Sequence, residues 1–371
     1  MKQLYRSFVW KILPLTLLVL LFCNGCWDKK EFNQRAIAQT IAVDYDKGQY
    51  ELTIQLVMPT ASDTDVSSDS MWIMQGNGES VAEAMEQISR SAPRELYLDH
   101  LDIVLLGEGL LQHDVRQGME YLIQEDVLRR RTSLLAVKGN AGALLQTTPK
   151  LADVDIYYLR NLLRDQRQWV KGGDTVINDY YLAMDGRLPE GLVIPQIQEK
   201  EGTALYLNGA AVIYENRLLC WKEQDWLNSY RWVTGGAEIT TLPASESHEE
   251  VTVELRKERC RWEMVSEKPL KVRAVLQGTI MITENSADEE QHTMAERDLL
   301  QQQIQKEVES MQTVQIKQDF AAMQKEQCDV LHLGRWLQAR YPHLIEGDNW
   351  PQQFSEAEME VKMDTEIKSR V

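Results

Sequence analysis

The chain has 371 residues, 43% of them apolar, and carries 57 acidic against 40 basic side chains for a formal charge of −17. That length exceeds what one hydrophobic core organises, and the apolar content is enough for two or three domains, so a wholly disordered chain is excluded. A surface this acidic repels phosphates, which argues against a nucleic-acid partner and against electrostatic capture by anionic lipid.

At the start, Lys2, Arg6 and Lys11 precede the apolar run Ile12 to Phe22 and a small-residue approach, Cys23-Asn24-Gly25, to Cys26. This is the layout of a bacterial lipoprotein signal peptide, where cleavage falls before a cysteine whose thiol carries diacylglycerol. Residues 1–25 are therefore expected to be removed and Cys26 to be the lipidated first residue, with the rest of the chain on the extracytoplasmic side. The alternatives are an ordinary signal peptide and an uncleaved anchor, but spanning hydrocarbon takes about 20 apolar residues and this run is shorter and interrupted by Pro14. Cys23 departs from the leucine that such leaders favour three residues before the cut. Cleavage removes three positive charges and no acidic one, taking the formal charge to −20. Acyl chains must then hold the body at the bilayer.

Ala36 to Asp44, a turn at Asp46-Lys47-Gly48 and Gln49 to Met58 read as a β-hairpin, since Tyr50, Leu52, Ile54, Leu56 and Met58 alternate with mostly polar neighbours. Residues 61–70 are polar and aperiodic and form an exposed loop. Ser80 followed by Glu83 is a capping-box pattern, and the stripe Val81, Met85, Ile88 predicts a helix over 81–91. Leu96 to Leu106 reads as one core strand ended by Gly107. A helix around Val115, Met119 and Leu122, a strand at Ser133 to Val137 and a helix carrying Ile156, Leu159 and Leu163 follow. Strand and helix alternate, so residues 26–196 are expected to form an α/β-type region ending near Pro195, with the charged segment Gln196 to Gly202 as linker.

Residues 200–371 change character. Strands at Ala204–Tyr214, Val251–Arg256, Leu270–Leu276 and Thr279–Thr283 precede a long amphipathic helix over about 293–327, whose stripe runs through Leu300, Ile304, Val308, Met311, Ile316, Phe320 and Met323. At 1.5 Å per residue it reaches about 50 Å. Met359, Val361, Met363, Thr365 and Ile367 alternate with charged residues as a final strand with one wet face. A helix laid over a mostly antiparallel sheet gives an α+β region, divided in two by a boundary near residue 275. The fold class expected for the whole is α+β and multi-domain.

No HExxH, GxSxG, phosphate loop or GxGxxG occurs, so no catalytic, cofactor-binding or metal-binding residue is assigned. Strand alternation would put His100 and Asp102 of Asp99-His100-Leu101-Asp102 on one face. A metal would need a further ligand there; a structural histidine is the expectation and an enzyme built on the pair the competing reading. His113, His248, His292, His332 and His343 are scattered singly. Trp221, Trp226, Trp232 and Trp262 gather with Tyr214 and Tyr230, as core and edge packing, as an interface, or as the cleft of a lipid-anchored extracytoplasmic solute-binding protein. Arg129, Arg130 and Arg131 read as a solvated helix-end patch. Cys220, Cys260 and Cys328 fit no zinc spacing; buried free thiols are the expectation, with one disulfide as the alternative.

The mature start Cys26-Trp27-Asp28-Lys29-Lys30-Glu31-Phe32-Asn33, followed by Ala36-Ile37-Ala38 and Val43-Asp44, resembles the opening of Ger(x)C-family spore germination lipoproteins. Leu98 to Gly107 (LDHLDIVLLG), Gly202-Thr203-Ala204 with Gly209, Leu219-Cys220-Trp221, and Asp329 to Gly334 (DVLHLG) with Trp350 extend the resemblance over nearly the whole mature chain. Gln124-Glu125-Asp126 departs from it, where members often carry an Arg-Asp pair. The resemblance implies the C subunit of a nutrient germinant receptor, lipid-anchored through Cys26 to the spore inner membrane and facing outward beside two polytopic subunits. It also implies three domains that each mix sheet and helix, no catalytic activity and no cofactor.

Overall fold

The structure, a computed structural model, describes residues 35–57, 71–124, 128–151, 159–163, 175–184, 186–200, 204–234, 238–243, 251–285, 293–345 and 349–369. Cys26, the leader and the loop at 61–70 lie outside them.

β1 (Arg35–Asp46) and β2 (Gln49–Val57) form the expected hairpin, turning through Lys47 and Gly48, both at positive φ. β3 (Met71–Gly78) pairs antiparallel with β2. α1 (Val81–Ser91) begins as its sequence predicts: the Ser80 hydroxyl accepts from the Glu83 N–H at 3.2 Å, and Val81, Ala84, Met85 and Ile88 are buried. β4 (Glu95–Tyr97), β5 (Ile103–Gly107), α2 (Glu108–His113), α3 (Val115–Gln124), β6 (Ser133–Val137) and α4 (Ala141–Leu151) come next. β7 (Thr175–Val176), α5 (Ile177–Met184), β8 (Leu192–Lys200), β9 (Ala204–Tyr214) and β10 (Arg217–Lys222) complete a ten-stranded mixed sheet, ordered β10-β9-β8-β6-β5-β1-β2-β3 with β4 beside β1 and β7 beside β6. Its centre, β1, β5, β6 and β8, is parallel and buried on both faces. Ile41, Val43, Val104, Leu106 and Leu134 pack with α1, α2 and α3, whereas Ala42, Ile103, Leu105, Leu135 and Val137 pack with α4 and the helical residues 159–163.

The second sheet follows α6 (Gln224–Thr234). It is ordered β11 (Glu238–Pro243), β12 (Val251–Ser266), β13 (Lys271–Asn285) and β14 (Glu358–Ser369), with β14 parallel to β13. α7 (Met294–Lys325) starts on a full capping box at Thr293 and Glu296 and buries Ile304, Val308, Ile316, Phe320 and Met323. α8 (Leu333–Arg340) and α9 (Trp350–Glu356) follow in the chain before β14, with Phe354 of α9 packed against Phe320 of α7. The architecture is the α+β, multi-domain one expected.

Four local expectations change. Leu96 to Leu106 is not one strand: Asp99 and His100 form a turn closed by the Leu101 N–H donating to the Leu98 carbonyl, and pairing resumes only at Ile103. Alternation therefore does not relate His100 to Asp102. Gln196 to Lys200, read as linker, are the end of β8, where Ile197 is buried and Glu199 and Lys200 are paired with Leu205 and Ala204. β9 and β10, assigned to the second half, belong to the first sheet. Their other face serves the second core, since Val193, Ala210 and Val212 pack with Trp226, Phe320 and Leu331. The boundary near residue 275 falls inside β13, which is continuous over 15 residues; Gly278 sits opposite a bulge at Lys257 and Arg259, where it relieves a register shift instead of ending the strand.

Candidate functional site

Two buried carboxylates organise the molecule. The first is Asp44, at the end of β1 and 4% exposed. Its two oxygens accept from the backbone N–H groups of Ala141 and Gly142, each at 2.8 Å, and so satisfy the start of α4. Burial pushes its pKa up to about 6, against the pull of those two donors and with a small push from Glu51. Gly107 is required here, because a methyl group on it would fall within the Asp44 carboxylate.

The second is Asp329, 1% exposed, in the turn between α7 and α8. One oxygen accepts from the N–H groups of Leu331 and Leu333, both at 3.1 Å; the other accepts from Gly334 N–H at 2.8 Å and from the Trp350 indole at 3.1 Å. Its carbonyl accepts from Gly191 N–H at 3.1 Å, in the segment leading into β8. Burial raises the Asp329 pKa even though Gly334 and His332 oppose the shift. Beside it Glu190, 3% exposed, receives Arg335: Nε lies 3.1 and 2.8 Å from the two carboxylate oxygens, and Nη2 also bonds Oε2. His332, at φ 55°, places Nδ1 3.0 Å from Glu190 Oε2. Burial alone would raise the Glu190 pKa, but His332 and Arg335 outweigh it and hold the carboxyl below its usual range. Packing around this knot is tight. A Cβ on Gly191 would lie 2.5 Å from Cys328 Sγ, and one on Gly334 would lie 2.7 Å from the Trp350 ring.

The knot therefore ties residues 190–191, at the foot of the first sheet, to residues 328–335 and 350 of the second body. Each carboxylate oxygen faces backbone, indole, imidazole or guanidinium donors, an arrangement that holds geometry. Val43-Asp44, Gly107, Asp329 to Gly334 and Trp350 were visible in sequence as family-like residues without a role. Glu190 and Arg335 were missed, because partners 145 residues apart leave no local pattern.

Cys26 lies outside the described residues, so nothing in the fold bears on its lipidation. His100 stacks at a tilt beside Tyr97, while Asp102 faces Arg160 at 3.4 Å. The two are not brought into one site. His113 stacks on Tyr45 with centroids 3.8 Å apart, and His343 faces Glu267. His248 and His292 are outside the described residues. No group of three or more metal-ligating side chains occurs among the described residues. The four tryptophans do not line one cleft. Trp221 donates to Glu108 and packs on the first core, Trp226 stacks on Tyr230, Trp232 is fully buried, and Trp262 meets Trp336. The cavity beside Trp226, Tyr230 and Phe320 is about 20 Å³, room for one water and too small for a sugar or amino acid. Cys220, Cys260 and Cys328 are free thiols, with burial raising the pKa of Cys220 and Cys328.

Residues 28–199 match the family described as spore germination protein N-terminal domain, and residues 208–370 match spore germination B3/GerAC-like, C-terminal. The chain belongs to the spore germination B3/GerAC-like family. Within that family it is 24% identical to spore germination protein B3 of Bacillus subtilis (strain 168), over 94% of this chain and 95% of that protein. It is 27% identical to spore germination protein KC of the same organism over 118 residues, 29% of this chain and 28% of that protein. The crystal structure of the GerBC protein shares the fold of this family member, with a TM-score of 0.51 at 18% identity over 88% of this chain and 96% of the other. The two family domains meet at the β8–β9 hairpin, where the first sheet passes one face to the second core.

Proposed function

We propose that this chain is the membrane-tethered, non-catalytic subunit of a spore germinant receptor, held by acylated Cys26 on the outer face of the spore inner membrane beside two polytopic subunits. The observation that carries the reading is the presence of both spore germination domains in one chain, spanning it from residue 28 to 370. The buried carboxylates among the described residues, Asp44, Glu190 and Asp329, are each committed to holding elements together, which supports a positional role over a chemical one. The first sheet, which runs through β10, and the second body act as two regions coupled through the Asp329 and Glu190 knot. The tether works by locality. Lipid insertion contributes about 0.8 kcal/mol per buried methylene, confining the body to the membrane plane and raising its effective concentration at its partners. Spores carrying Cys26→Ala should lose the protein from their membrane fraction and germinate more slowly on the nutrient this receptor senses. Full membrane retention with unimpaired germination would overturn the reading.

A further inference from the structure

The formal charge of the whole chain conceals a division between the two ends of the first sheet. β1, β5 and β6 run parallel, so Arg35, the turn before Ile103 and the turn before Ser133 emerge at one end; the antiparallel register brings Val57 and Met71 opposite Ile37 at that same end. Backbone bonds draw these turns together, with Asp102 N–H donating to Gln39 and Ser133 N–H to Asp102. This end carries Arg35, Arg94, Arg129, Arg130, Arg131 and Arg160 against Glu95, Asp99, Asp102 and Asp179. Among those acids Asp102 is engaged by Arg160 at 3.4 Å, Asp179 by the Val176 N–H at 3.0 Å, and Asp99 by a hydrogen bond with the Tyr97 side chain. Glu125 and Asp126, ahead of the arginines, lie outside the described residues. The opposite end carries Asp46, Glu51, Glu79, Glu83 and Glu108 against Lys47 and Lys138. These groups give the arginine end six positive charges against four negative and the opposite end two against five.

The arginine end also presents aromatics. Trp72 is 50% exposed, and the Arg35 guanidinium sits 4.5 Å over the Tyr97 ring. Arg129, Arg130 and Arg131 are all exposed. From β3 to β6 is four strand spacings, so Trp72 and the arginine triplet lie about 19 Å apart along one edge. Indole and phenol rings settle at the headgroup level of a bilayer, and guanidinium groups bond lipid phosphates in a bidentate fork. Arg35 is nine residues beyond Cys26, which puts the lipidated thiol within about 32 Å of this end whatever path the intervening chain takes. The acidic turn at Asp46 and Lys47 is a 12-residue strand farther on, about 40 Å.

We propose that this end of the first sheet rests on the bilayer, with Trp72 in the headgroup zone and Arg129, Arg130 and Arg131 on lipid phosphates, so that the tether and a protein surface together set the orientation of the body. The inference rests on lipidation of Cys26. The acylated mature protein, reconstituted on vesicles of phosphatidylcholine and phosphatidylglycerol, is compared by hydrogen exchange with the unacylated mature chain carrying Cys26→Ser in solution. Backbone amides of residues 71–73 and 129–132 should exchange at least threefold more slowly on vesicles, while those of 46–49 are unchanged. Protection at 46–49, or at neither end of a protein that floats with the vesicles, overturns the proposal. The Cys26→Ser chain is titrated separately with phosphatidylglycerol vesicles. Its weak binding should fall at least threefold in Trp72→Ser and in the triple variant Arg129→Gln, Arg130→Gln, Arg131→Gln; equal binding by parent and variants also overturns it. If native Cys26 carries no lipid while this second result holds, the anchor fails and the surface stands.

Discussion

Replacing Asp329 by Asn probes the joint between the two bodies with almost no change of shape. The carboxylate accepts four hydrogen bonds, from Leu331, Leu333 and Gly334 N–H groups and the Trp350 indole. An amide can keep only one oxygen, so its NH2 group must face one pair of these donors, and two bonds become donor-to-donor contacts. Hydrogen bonds to a charged acceptor are worth about 1.5–3 kcal/mol each, a gross loss of about 3–6 kcal/mol. Removing the charge returns part of this, because burial already raises the Asp329 pKa. A net destabilisation of about 2–4 kcal/mol follows, felt by the start of α8, by Trp350 and, through the Asp329 carbonyl, by Gly191. Urea titration followed by tryptophan fluorescence and by circular dichroism gives the change in midpoint. Calorimetry should show a fall in Tm of about 3–6 °C, with the two bodies melting less cooperatively. A variant within 0.5 kcal/mol of the parent, still melting in one step, would refute the reasoning that this carboxylate holds the joint.

Gly107→Ala forces a methyl group into the Asp44 carboxylate that starts α4, combining overpacking with loss of a helix cap, and should cost about 2–4 kcal/mol in urea titration; Gly48→Ala, with open space around its Cβ and only a positive φ to strain, should cost about 1 kcal/mol. Asp44 also sets a pH dependence. Its folded pKa of about 6 lies above the ordinary aspartate value of 3.8, so its contribution to stability is fully present below about pH 4 and is lost as pH rises through 6, by about 3 kcal/mol in all. The stability of the parent minus that of Asp44→Asn should therefore fall between pH 4 and pH 7, and a difference that is flat or rising would contradict this origin. Thr293→Ala removes one half of the capping box of α7 and should cost about 1 kcal/mol, a loss that Thr293→Ser should not reproduce.

Local pattern carried much of the fold. α1 was legible because Ser80, Glu83 and its apolar stripe agree. α7 was legible because Ile304, Val308, Ile316, Phe320 and Met323 keep a helical stripe, and β14 because its charged and apolar residues alternate. Where tertiary hydrogen bonds override local pattern, the reading failed. Leu98 to Asp102 is apolar enough for a strand but is bent into a turn by contacts to Gln39 and Ser133. Gln196 to Lys200 is polar enough for a linker but is held as a strand by pairing with β9. The net charge averages an arginine end against acidic turns that only the strand register separates. The knot was half legible. Asp329 to Gly334 and Trp350 stood out in the sequence, but their role depended on Gly191 and Glu190, which sequence distance hid.

The account depends on a body tethered at Cys26. Intact-mass analysis of the protein extracted from spore membranes tests it most directly. The predicted product begins at Cys26 and carries the added mass of a diacylglycerol on that residue. An unmodified cysteine at that position, or a chain still bearing residues 1–25, would contradict it.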